Sequence, residues 1–142
     1  MIRFFKENKR TRIGFTLSAT FMIDNFYDKM KEISDSADLI FCNEEEASAF
    51  AKQDSKDPLQ NSLAIHRLLN RNENRILIVT CGQHPVVISK YDYQNNQFEY
   101  VVNQYVPLVS SEDIVDTNGC GDCKIINKIS ICRRLFITIY SG

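Results

Sequence analysis

The chain is short of several things, and each shortage narrows its nature. Only five Gly and three Pro stand among 142 residues, few for a chain with many turns. No apolar run approaches the roughly 20 residues that a helix needs to cross a bilayer, so no membrane role is read from the sequence. Met1–Arg12 carries basic residues but no apolar stretch behind them, and it does not read as a secretory signal. Neither sign of charge dominates: Lys+Arg 17 against Asp+Glu 18 leaves a net charge of -1, without the basic excess that bulk attraction to nucleic acid requires. Five cysteines, odd in number and irregular in spacing, do not form a disulfide framework and point to a reducing, intracellular compartment. Internal repeats, low-complexity tracts and Pro/Gly/Ser-rich linkers are absent, so one domain is expected.

What is present is an alternation of strand-like and helix-like segments. Arg12–Leu17 reads as a short strand. Phe21, Met22, Phe26, Met30 and Ile33 recur at helical spacing, predicting a helix over Phe21–Ile33. Asp38–Cys42 is a compact apolar strand, and Asn43 is suited to cap a helix over Glu44–Lys52. Pro58 marks a break within Ser55–Leu59, after which Ile65, Leu68 and Leu69 share one face of a helix ending near Asn70. Arg75–Thr80 is β-branched and apolar enough for a buried strand. Val86–Tyr91 and Phe98–Val102 form a hairpin pattern with Asn95–Asn96 as its turn. Strands separated by helices imply right-handed βαβ units, hence an α/β class with a mostly parallel sheet flanked by helices.

The stretch richest in chemistry is Asp113–Asp122, DIVDTNGCGD. Gly119 and Gly121 free the backbone so that successive N–H groups can converge on one point. A helix starting there would add its positive end and make an anion site. Asp122, beside such a site, could take a proton from a hydroxyl attacking a bound phosphoryl group. Other readings remain beside this one. Cys120 and Cys123 make a C-x-x-C that could be a redox pair or half of a zinc site. Asn43 and Glu46 have the spacing of an ordinary capping pair. Thr80-Cys81-Gly82 could be a plain strand-ending turn, and Glu44–Glu46 a solvated first turn. Tyr91, Tyr93 and Tyr100 read as hairpin surface, and His66 and His84 are given no role.

DTNGCGD resembles the D-T-x-G-A-G-D signature of the ribokinase-like (PfkB) sugar and nucleoside kinases. The preceding VPLVSSEDIVDTNG, and Leu17-Ser18-Ala19-Thr20-Phe21, are similar to the branch of that family that phosphorylates adenosine. Asp38–Ala47 resembles its strand leading into N-x-x-E, and Thr80-Cys81-Gly82 its T-x-G turn. The likeness covers a kinase-like region over 11–122 and leaves a divergent tail over 123–142.

The resemblance implies a ribokinase-like fold and transfer of the γ-phosphoryl group of ATP to the 5′-hydroxyl of adenosine, giving AMP in purine salvage. By position, Asp122 would be the catalytic base, with Gly119, Cys120 and Gly121 as the anion hole. Thr80, Gly82, Thr117 and Asn118 would line or shape the nucleotide site, and Asn43 and Glu46 would hold Mg²⁺ through its waters. The partners expected are adenosine and ATP, with neither nucleic acid nor membrane, and the place is the cytosol, with the nucleus as a second compartment. The chain begins about where the second half of such a kinase begins, and its tail lacks the small glycines that follow Asp122 in the family. The expectation is therefore little activity from this chain by itself. A non-catalytic remnant that binds nucleotide or associates with an intact kinase, and a small C-x-x-C redox or zinc protein, stand as alternatives.

Overall fold

The computed structural model describes residues 12–82 and 84–103. Over this range the order is β1 (Gly14–Thr16), α1 (Thr20–Ser36), β2 (Leu39–Asn43), α2 (Glu44–Ala51), α3 (Pro58–Leu68), β3 (Ile76–Cys81), β4 (His84–Asp92) and β5 (Gln97–Asn103). The strands form one sheet in the order β1-β2-β3-β4-β5. β1, β2 and β3 are parallel neighbours, with Phe15 opposite Ile40 and Cys42 opposite Val79. β3–β4 and β4–β5 are antiparallel. Parallel pairing thus holds for the first three strands and gives way where a tight turn replaces a helical crossover.

Side-chain alternation assigns the faces. Ile40, Cys42, Leu77, Val79, Cys81 and Val87 share one core with Ile23 and Met30 of α1, Ala47 and Phe50 of α2 and Ile65 of α3. All three helices therefore contribute to the same face. Since both crossovers lie there and the strand order advances steadily, the two βαβ units have the same hand. The other face carries Phe41, Ile78, Val86 and Ile88, which are also buried. Burial on both faces is why β3 reads as a continuous apolar run.

Several boundaries moved, each for a local reason. The break between α2 and α3 falls before Pro58, which opens the second helix rather than lying within the break. Asp57 caps α3, its Oδ1 accepting from the Leu59 N–H at 2.9 Å, and Pro58 occupies the first helical turn, where a missing N–H costs nothing. α1 runs to Ser36, three residues past the periodic stretch, and is kinked at Phe26 (φ -132°, ψ 30°). The hairpin turn spans Tyr93–Asn96 rather than Asn95–Asn96 alone. Asp92 Oδ1 accepts from the N–H groups of Gln94 and Asn95, at 2.8 and 3.0 Å, and Asn96 takes φ 53°.

Arg75, expected as the first residue of a strand, lies just before β3 and is wholly buried. Its guanidinium donates to the carbonyls of Asn70 (2.7 Å), Asp35 (3.0 Å) and Ala37 (3.3 Å). α1 has no basic residue in its last turn, so Arg75 supplies both the donors and the positive charge that its C-terminus needs. Nearby, Asp38 Oδ2 accepts from the Ile13 N–H at 3.0 Å and Asn72 Nδ2 donates to the Ala37 carbonyl at 3.3 Å. These ties lock the amino edge of the three parallel strands.

The tyrosines correct the reading of the hairpin as surface. Tyr91 is buried and its ring stacks on His66 with centroids 6.3 Å apart. The Tyr93 hydroxyl donates to the His66 carbonyl at 2.8 Å, whereas Tyr100 is exposed as expected. His66, given no role by the sequence, is fully buried between α3 and β4, with Nε2 3.2 Å from Ser89 Oγ.

Candidate functional site at the carboxyl edge

Because β1, β2 and β3 are parallel, their carboxyl ends share one edge of the sheet. Open α/β sheets bind ligands outside that edge. The described candidate residues meet there. Asn43 ends β2 and Thr80 stands opposite it on β3, so the two side chains leave the same face of adjacent strands.

Asn43 and Glu46 form a complete capping box. Asn43 Oδ1 accepts from the Glu46 N–H at 2.7 Å, while Glu46 Oε2 and Oε1 accept from the Asn43 backbone N–H and Nδ2, each at 3.0 Å. The cap and the site are thus built from the same pair, and the two readings of its spacing are not exclusive. Glu46 is not part of a solvated turn, being only 7% exposed. Burial pushes its carboxyl above the usual carboxylate range; the Asn43 N–H draws it down in part, and Glu45 and Glu44 push it up again.

The donor set fits magnesium held through water. One hydrogen bond occupies each oxygen of Glu46, so each keeps a lone pair for a metal-bound water. The described residues contain no group of three or more His, Cys, Asp or Glu that could grip an ion directly.

β3 ends in Cys81 and turns at Gly82, whose φ is +53°. Nothing lies within 4 Å of the place a Cβ would take there, so glycine answers the backbone and not a shortage of space. Thr80 is half-buried beside it. On the opposite face sit the buried thiols of Cys42 and Cys81. Burial pushes the Cys42 thiol up, and Glu46 and Cys81 add to the effect, so it is kept protonated rather than activated.

One feature of this edge had no signal in the sequence. Between β1 and α1, Ser18 has φ 68°, and the Ala19 N–H donates to the Leu17 carbonyl at 2.9 Å, a tight three-residue turn. Serine types do not announce a left-handed backbone. Thr117, Asn118, Gly119, Cys120, Gly121, Asp122 and Cys123 lie outside the described residues.

Comparison with known proteins agrees with this arrangement. The family described as pfkB family carbohydrate kinase matches residues 5–125. An adenosine kinase of Dictyostelium discoideum is 31% identical over 111 residues, 75% of this chain and 30% of its own length. One from Schizosaccharomyces pombe is 30% identical over 122 residues, 82% of this chain and 33% of its own. The crystal structure of Anopheles gambiae adenosine kinase, in complex with P1,P4-di(adenosine-5) tetraphosphate, superposes with a TM-score of 0.69 at 29% identity. That match covers 85% of this chain and 36% of the other, so the chain spans about a third of the length of its relatives. With the fold, the N-x-x-E cap and the strand-ending T-x-G turn in these positions, the chain belongs to the pfkB family of carbohydrate kinases.

Proposed function

We propose that this chain carries part of the active site of an ATP-dependent kinase that phosphorylates the 5′-hydroxyl of adenosine and releases AMP and ADP. The observation that supports the reading best is the pairing of Asn43 with Thr80 at the carboxyl edge, which sets the N-x-x-E box beside the T-x-G turn. The adenosine kinases among its relatives supply the choice of nucleoside.

In this reading Asp122 accepts the proton as the 5′-oxygen attacks the γ-phosphorus. The backbone N–H groups of Gly119, Cys120 and Gly121 stabilise the charge that gathers on the transferring group. Thr80 and Gly82 form a wall of the nucleotide site, and Thr117 and Asn118 shape the turn before the anion hole. Asn43 fixes the Glu46 carboxylate, and Glu46 orders the waters around the phosphates. Magnesium, when bound, neutralises phosphate charge. The protein's contribution is then position and electrostatics, with no covalent intermediate. The proposal places the reaction in purine salvage in the cytosol.

The test is AMP formation from adenosine and MgATP, run with nuclear magnetic resonance of the chain's amides during titration with adenosine and with MgATP. Asp122→Asn should lower whatever turnover the chain supports by about 10²-fold or more while leaving the titration shifts in place, since it removes a base and not a binding group. Ligands that shift no amide of Asn43–Glu46, Thr80 or Gly82 would refute the reading.

A further inference from the structure

α1 is one helix by its hydrogen bonds but two by its anchoring. Its kink at Phe26 divides Thr20–Asn25 from Tyr27–Ser36. The second part is held firmly: Tyr27 donates its hydroxyl to the Phe50 carbonyl at 3.2 Å, Met30 and Ser34 are buried, and Arg75 binds the C-terminal carbonyls. The first part has little to hold it. Its N-cap, Ala19, offers no side-chain hydrogen bond, and its first turn has no acidic residue. Ile23 is its one buried side chain.

Both ends of this first part depart from regular backbone. At one end Ser18 sits at φ 68° inside the three-residue turn, a conformation that is strained for a residue with a Cβ. At the other, Phe26 leaves helical geometry, and Asn25 Nδ2 donates to the Phe21 carbonyl at 2.7 Å. A side chain competing for a carbonyl of the preceding turn weakens the helix at the point where it bends. Between the two irregular points, Phe21 is 62% exposed in the first turn, and Phe26 is 47% exposed at the kink. Large apolar surface of this kind, at the edge where ligands bind, gains by being covered.

We propose that Thr20–Asn25 is a flap, hinged at Ser18 and Phe26 and pivoting on Ile23, that moves separately from Tyr27–Ser36 and closes over nucleoside bound at the carboxyl edge. The proposal rests on the kinase reading for its ligand but not for its hinges. Closure excludes water from the phosphoryl acceptor without disturbing the sheet.

Amide hydrogen exchange of the full chain, with adenosine alone as the probe, tests both parts. Without ligand, the bonded amides of 22–25 should open together, with protection about tenfold or more below that of 28–34 and a step at Phe26. Saturating adenosine should raise the first group about tenfold and leave the second within about twofold. Ser18→Gly, which adopts the turn freely, should keep this response. Ser18→Val, excluded from it, should lose the response; if that variant does not fold, the parent and Ser18→Gly decide. Protection that is uniform across the kink, or that rises smoothly from the helix end as in simple fraying, overturns the hinge. Adenosine that shifts the amides of Asn43–Glu46 but leaves 22–25 unchanged overturns the closure and spares the kinase reading. Adenosine that changes no amide at the edge overturns the closure, while the kinase reading is decided by the MgATP titration and the hinge by the ligand-free exchange.

Discussion

Acidification should destabilise this fold through His66, by an amount the structure allows to be worked out. The imidazole is fully buried, stacked on Tyr91, edge-on to Phe98, and bonded at Nε2 to Ser89. Burial, and then the nearby Arg75 guanidinium, push its pKa down from 6.5 to about 4. The unfolded chain therefore takes up a proton at a pH where the folded chain does not. The stability contributed by the neutral ring is complete above pH 6.5 and falls as the pH drops toward 4. Relative to pH 7.5 the loss is about 2 kcal/mol at pH 5 and about 3 kcal/mol at pH 4, a large share of the 5–15 kcal/mol typical of a domain. Urea denaturation at pH 7.5 and 5, on the parent and on His66→Gln, isolates this group. Gln keeps a partner for Ser89 but does not titrate, so its fixed packing cost cancels between the two pH values. The parent's midpoint should fall by about 1 M more urea than the variant's. Equal falls in parent and variant would refute the assignment.

Other substitutions separate structure from function. Arg75→Met leaves the carbonyls of Asn70, Asp35 and Ala37 without their donor and should cost about 3 kcal/mol or more, read as a loss in urea midpoint; Arg75→Lys should recover less than half, lacking the fork. Gly82→Ala meets no atom and should cost only the left-handed backbone penalty of about 1 kcal/mol by thermal denaturation. Glu46→Gln preserves a capping side chain at the third helical position. Stability should stay within about 0.5 kcal/mol while the magnesium dependence of turnover weakens, a split that a purely structural cap would not show.

The sequence carried the fold wherever one signal had one meaning. β2 and β3 were legible because short, β-branched apolar runs between polar breaks have few other uses, and Asn43 to Glu46 because a capping box has fixed spacing. Reading failed where one residue type serves two purposes. Proline ends helices and also opens them, so Pro58 marks the break between two helices without showing that the second begins at Pro58 itself, behind the Asp57 N-cap. Tyr91 reads as surface because its polar end suits water. Only the strand register, with Ser89 opposite Leu77, shows that alternate residues of β4 turn toward α3. Arg75 was hidden for a different reason: its acceptors lie 5, 38 and 40 residues away, and no local pattern encodes them. Of the candidate site, the structure describes the residues on β2 and β3, and both of those motifs fall on one edge.

That edge and its opposite are built differently, and the difference follows from the chemistry each must support. At the amino edge, charged and polar side chains are spent inward: Arg75 on carbonyls, Asp38 and Asn72 on β1 and the α1 terminus, Tyr93 on the His66 carbonyl. Most such bonds tie elements far apart in sequence, which makes that edge a clamp. At the carboxyl edge one backbone bond, from the Leu17 N–H to the Phe41 carbonyl at 2.9 Å, continues the ladder between β1 and β2, while the bonds within Asn43–Glu46 and from the Ala19 N–H to the Leu17 carbonyl are short-range and shape single turns. Short-range bonds fix a side chain's direction and leave its outer lone pairs and neighbouring N–H groups for a ligand. A site that must order waters and phosphates, then release a product, is served by such local determination on a scaffold clamped from behind. Cutting the clamp with Arg75→Met should therefore lower stability while leaving the Glu46 amide shift, which reports the Asn43 bond, unmoved in the fraction that remains folded.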